Sequence, residues 1–137
     1  LHSQLDSTAS NLFANVEDRE PVWMHPDAAK KLGLKSGDIA KVTSRRGSVL
    51  AGVIVTDRIR PDTVVIHHGG WYSPEEPGEE GTLDVHGCDN VLTIDIPSSK
   101  LSCGNVANST QVKIERWDDE LDPIMAHVQP KTVRADD

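Results

Sequence analysis

Aromatic residues are scarce in this chain: three Trp, one Tyr and one Phe among 137 residues. Its interior must therefore be built mainly from Val, Ile, Leu and Ala. Cysteine is scarcer still, and two residues, Cys88 and Cys103, are too few for a disulfide framework. Composition leaves three states open for them: free thiols, one bridge, or ligands. No apolar run approaches the ~20 residues of a membrane-spanning helix, so no direct membrane insertion is expected. Basic residues are outnumbered, with 14 Lys plus Arg against 22 Asp plus Glu and a formal net charge of −8. Much of that charge sits in the last twenty residues, which hold six acids and two bases. No stripe of Lys and Arg is present to neutralise phosphates, which argues against nucleic acid as a partner. The opening "LHSQLD" carries no initiator Met, charged n-region or signal peptide, so a domain of a longer protein is expected.

What is present fits one domain with a real core. Residues 1–20 are polar and weakly periodic and read as a lead-in segment. Asp27 to Leu32 predicts a short helix, with Pro26 at its first position and Gly33 just past its end. The pattern then changes to strands. "IAKVTS" (39–44) alternates with period two, Arg45-Arg46-Gly47 makes a hairpin turn, and "SVLAGVIVT" (48–56) runs back. "TVVIHH" (63–68), "VLTIDI" (91–96) and "TQVKIERW" (110–117) are three further predicted strands, with a long acidic loop rich in Pro and Gly over 73–90. A short helix among several short strands predicts a mainly β fold, a small closed barrel over residues 21–117. Residues 118–137 lack periodicity, and a mobile tail is expected there.

Three kinds of chemistry deserve weighing. His67, His68, His86, Cys88 and Cys103 carry metal-ligating atoms. Their spacing matches no zinc pattern, and the adjacent His67 and His68 point to opposite faces of a strand. Cys103 in "LSCGN" and Ser98 and Ser99 in "IPSSK" have no nucleophile-elbow or cysteine-protease surroundings. The third kind is a binding rim. Gly69, Gly70 and Trp71 follow one strand, Asp89 and Asn90 follow the long loop, and "PSSKLSCGNVANST" is dense in short hydrogen-bonding groups. Glycines admit close backbone approach, while amides and hydroxyls suit a neutral heterocycle. Composition alone reads these same residues as ordinary loop.

The order of segments is more specific. "HSQLD", then "REPVWMHPDAAKKLGLKSGD", "RGSVLAG" and "HHGGWYSP", then "NVLTIDIPSSKLSCGN", resembles the C-terminal domain of the dimethyl sulfoxide reductase family of molybdenum enzymes. Trimethylamine N-oxide, dimethyl sulfoxide and biotin sulfoxide reductases are its nearest kin by this likeness, which spans about residues 1–117. The resemblance implies a six-stranded double-psi β-barrel of the aspartate decarboxylase-like type, closing over bis(molybdopterin guanine dinucleotide) with molybdenum. It implies that the metal's protein ligand and the substrate funnel belong to N-terminal domains of the parent enzyme, so no catalytic residue is expected in this chain. His2, Ser3, Gln4 and Leu5 match a pterin-contacting segment, and Asn90 matches an asparagine against a pterin ring. Ser102, Cys103, Gly104 and Asn105, with Asn108 beyond them, match a cofactor-contacting loop. Cys103 departs from the pattern, standing where relatives usually have Gln. A thiol is a weak donor and acceptor, so the contact is lost there or passes to the backbone of Gly104 and Asn105. Gly70 and Trp71 are then a strand end against the cofactor domain.

The implied partners are those N-terminal domains, an N-oxide or S-oxide substrate, and a redox partner of unspecified type. A periplasmic parent is expected in preference to a cytoplasmic one, its signal lying upstream. A rival reading from another class is a cofactor-free barrel serving as a protein-interaction module, with Trp71, Tyr72 and "EEPGEEG" docking a partner.

Overall fold

The computed structural model describes residues 13–129 and 132. One five-stranded mixed sheet forms the body, built from β1 (Pro21–Met24), β2 (Ile39–Thr43), β3 (Ser48–Val55), β4 (Val64–Ile66) and β5 (Lys113–Arg116). Their spatial order is β4-β1-β3-β2-β5. Only β1 and β3 pair in parallel, Val22 opposite Val53; the other three pairings are antiparallel. Chain neighbours β2 and β3 make the hairpin expected from their alternation, closed where the Ser44 amide donates to the Gly47 carbonyl (2.9 Å). β3 is central and buried over most of its length.

The helix α1 (Pro26–Leu32) follows the predicted logic at both ends. Pro26 takes the first turn, where a missing N–H costs nothing, and Gly33 ends the helix at φ 68°. The Leu34 amide then donates back to the Ala29 carbonyl (2.9 Å) and Leu34 drops into the core. That core is aliphatic, as the shortage of aromatics requires: Val22, Met24, Val42, Val49, Val53 and Leu92 are central to it.

Three expectations are corrected. In place of the closed barrel expected over residues 21–117, the described residues form an open sheet with β4 and β5 at its two edges. β1 was not among the expected strands, because "PVWM" has no alternation; both its neighbours are supplied by distant chain, so its strand character is tertiary. The strand expected over 91–96 does not form. Asp89–Val91 is instead a 3-10 turn, closed by the Val91 amide on the Cys88 carbonyl and the Leu92 amide on the Asp89 carbonyl. Consecutive Val91 and Leu92 both pack against the same core, which a turn permits and an extended pair does not.

Residues 117–124 lie along the body. Leu121 and Ile124 pack on a second cluster made by Ile39, Leu50, Leu83 and Val85. Buried Arg19 donates from Nη1 to the Glu17 carbonyl (2.6 Å) and from Nη2 to the Asp122 carbonyl. The absence of periodicity over 118–129 thus coexists with specific packing, because irregular chain is held by single anchors.

Candidate functional site

Two chain segments meet at one end of the sheet. The first leaves β4 through His67 and His68 into Gly70, Trp71, Tyr72 and Ser73; the second is Asp84–Asn90. They approach so closely at Gly70 that a Cβ there would lie 2.8 Å from the Gly87 carbonyl oxygen. Gly87 itself sits at φ 95°, a conformation that favours glycine. The Val85 amide donates to the Ser73 carbonyl (2.9 Å), and His86 Nδ1 donates to the Trp71 carbonyl (2.8 Å). His86 is 1% exposed, so this bond fixes its tautomer away from solvent.

The rim side chains face outward from this frame. Trp71 is 38% exposed and its ring lies 5.0 Å from that of His127, which in turn meets His86 edge-on at 5.1 Å. His68 donates from Nδ1 to both oxygens of Asp89 (3.1 Å each), tying the end of β4 to the turn that presents Asn90. Asn90 is exposed, and its carbonyl accepts from Thr93 Oγ1 (3.2 Å). Trp23 packs edge-on to His67 at 4.9 Å, which occupies that imidazole in packing. Cys88 is buried, and burial, aided by the Asp84 carboxylate, pushes its thiol up to about 11. It is a proton-bearing packing group at neutral pH, and Cys103 is a free, exposed thiol.

The loop carrying Ser102, Cys103, Gly104 and Asn105 is a separate unit. The Ser98 amide donates to the Gly104 carbonyl (2.8 Å), and the Ser102 amide donates to Ser99 Oγ (2.9 Å). All four residues are exposed, and their loop's hydrogen bonds are internal to it. Asn108 follows in a second 3-10 turn (Ala107–Ser109) and, with Asp89 and Thr93, lines a cleft of about 300 Å³ beside β4. The structure thus joins Gly70, Trp71 and Asn90 through one frame and brings Asn108 to its edge. His2, Ser3, Gln4 and Leu5 lie outside the described residues. Among the described residues no group of three His, Cys, Asp or Glu is placed to hold a metal ion.

Asp84, Arg45 and Arg46 were not singled out for a site from sequence, and His86 was weighed only as a metal ligand. Asp84 and His86 brace the frame from inside; a polar residue alternating with Leu83 and Val85 in "LDVH" was the available signal. Arg45 and Arg46, read only as a turn, line a cleft of about 510 Å³ with Ile94, Ile96 and Gln111. Arg46 Nη1 donates to the Thr93 carbonyl (3.3 Å), which places a cation beside the turn bearing Asn90.

The donor set suits a large polar heterocycle with phosphate arms: exposed amides on Asn90, Asn105 and Asn108, hydroxyls on the 98–110 segment, backbone exposed by glycine, and two arginines nearby. Comparison with known proteins agrees. Over 134 residues the chain is 46% identical to a trimethylamine-N-oxide reductase of Haemophilus influenzae, covering 97% of this chain and 16% of that protein. It is 40% identical over 131 residues to a dimethyl sulfoxide/trimethylamine N-oxide reductase of Rhodobacter capsulatus, covering 96% and 16%. The chain therefore spans about a sixth of the length of these curated relatives. The fold is shared with part of the acetylene hydratase from Pelobacter acetylenicus at a TM-score of 0.64 and 21% identity, covering 85% of this chain and 16% of that one. Residues 1–111 match the molydopterin dinucleotide binding domain, and the chain belongs to that family.

Proposed function

We propose that this chain is the cofactor-gripping domain of a longer molybdenum oxidoreductase that reduces an N-oxide or S-oxide by oxygen-atom transfer. The observation that carries the reading is the joined rim: Gly70, Trp71 and Asn90 stand on one braced frame, in a chain 46% identical to a trimethylamine-N-oxide reductase. The ligand is bis(molybdopterin guanine dinucleotide), which when bound supplies a metal that accepts oxygen and passes two electrons. Every other contribution here is grip and orientation. Asn90 and Asn108 offer paired donor and acceptor atoms to a pterin edge, and Trp71 offers a flat apolar face. The 98–105 loop offers hydroxyls and backbone. Where relatives have Gln, Cys103 offers little, so the neighbouring Gly104 and Asn105 backbone carries that contact. His2, Ser3, Gln4 and Leu5 complete the grip.

The finer architecture belongs to the same proposal. Edge strands β4 and β5 contribute Val64 and Ile114 to the walls of one cleft, which supports a sheet curled toward closure as a double-psi barrel. The remaining domains of the parent hold the cofactor's other side, provide the metal's ligand and take the substrate and the electron donor. A periplasmic, anaerobically respiring parent accords with this chemistry.

Metal and guanine-nucleotide analysis of the full-length parent protein tests the reading. Molybdenum with about two guanine nucleotides per polypeptide is the expected result; a preparation from native cells holding neither pterin nor metal overturns it. Trp71→Ala in that protein is expected to lower cofactor content, and unaltered molybdenum and stability would remove Trp71 from the site.

A further inference from the structure

Asp84 is completely buried, yet its carboxylate makes no ion pair among the described residues. An isolated buried carboxylate is costly unless hydrogen bonds replace its hydration. Here three backbone donors do so. The Ser73 amide donates to Oδ1 (2.8 Å), and the Gly87 and Cys88 amides both donate to Oδ2 (2.7 Å each). Ser73 belongs to the segment that presents Trp71, and Cys88 opens the turn that presents Asn90. The backbone of Asp84 is itself fastened to the central strand: its amide donates to the Ser48 carbonyl (3.0 Å), and its carbonyl accepts from the Leu50 amide (2.8 Å).

We infer that Asp84 is a positioning residue for cofactor binding: from its anchor on β3 it holds both rim segments at once and so sets the separation of Trp71 and Asn90. The inference rests on the proposed function and adds a residue that touches no ligand. Three features separate this role from ordinary core filling. A carboxylate was chosen at a position flanked by buried Leu83 and Val85, where an aliphatic side chain would pack without desolvation cost. Its donors come from two separate stretches of chain. Finally, charge-assisted bonds of this length are stronger and more directional than neutral ones, so they resist relative sliding of the two segments. His86, two residues on, adds the bond to the Trp71 carbonyl and braces the same junction.

The test is Asp84→Asn in the full-length, cofactor-loaded parent enzyme. Asparagine keeps the volume but has one acceptor oxygen, so it can satisfy the Gly87 and Cys88 amides or the Ser73 amide and not both sets. A matched control is Val53→Ala, a fully buried site on β3 that weakens the sheet without touching the rim segments. At temperatures giving both variants equal margins below their melting points, the Asp84→Asn enzyme is expected to release dinucleotide roughly tenfold faster than the control, a difference of about 1.4 kcal/mol in the barrier. Equal release by the two variants overturns the role of Asp84 while leaving the proposed function intact. A wild-type enzyme holding no dinucleotide overturns the proposed function itself. Should Asp84→Asn fail to fold, amide hydrogen exchange in the wild type decides: the Ser73, Gly87 and Cys88 amides are expected to exchange as slowly as those of β3, and fast exchange at Ser73 refutes the clamp.

Discussion

Cys88 illustrates how burial sets chemistry at a single residue. Removed from water and placed near the Asp84 carboxylate, its thiol is raised to about 11. The folded protein therefore keeps a proton that the unfolded chain releases near the ordinary thiol value. The associated stability is fully present below that ordinary value and is lost as pH rises toward 11, about 2–3 kcal/mol across the window. Urea denaturation of wild type and Cys88→Ala at pH 8 and pH 11 checks this. Because the two proteins differ only at residue 88, the difference between them isolates the thiol, and a pH-independent difference would refute the assignment. Alkylation offers a second view: in the isolated chain, exposed Cys103 is expected to react with iodoacetamide at pH 8 while Cys88 reacts only on unfolding. Nothing in composition distinguished these two cysteines, since burial is a property of their surroundings.

Among elements, the junction of the rim segments depends on the absence of a side chain. A Cβ on Gly70 would press on the Gly87 carbonyl and on the Cys88 amide, both backbone groups that cannot rotate away. Gly70→Ala is expected to cost about 1–3 kcal/mol, read as a lower urea midpoint; an unchanged midpoint would show that the segments separate freely. The glycines of "HHGGWY" were legible as a place where backbone comes close, but what it approaches was not. The β2–β3 hairpin was readable because alternation and a tight turn are both local. β1 was not, since "PVWM" becomes a strand only between β3 and β4. In "VLTIDI" the alternation was present, but the Cys88–Leu92 turn satisfies the backbone locally and brings two adjacent apolar residues to one core.

At the scale of the molecule, Arg19 joins the start of the body to the chain beyond β5. Its guanidinium is buried, which lowers its pKa, and it is held by the Glu17 and Asp122 carbonyls. Replacing it with Ala is expected to release residues 118–129 and to speed cleavage at Glu120 by an acid-specific endopeptidase about tenfold, on the order of 1.4 kcal/mol of local opening. Cleavage at the wild-type rate would show that Leu121 and Ile124 hold the segment unaided. Because His127 lies against both Trp71 and His86, that release is also expected to alter Trp71 fluorescence.

The amino-acid order alone determined that this is a mainly β domain with an aliphatic core, where its helix starts and stops, and to which cofactor-binding family it is akin. These follow from local spacing, caps and motif order, which survive translation into a one-dimensional string. Tertiary structure decided the rest: that β1 is a strand and 91–96 is not, that Asp84 and His86 are interior braces, and that Arg45 and Arg46 stand by the rim. Each of those depends on a partner far along the chain, through burial and hydrogen bonds that exist only once the segments have met.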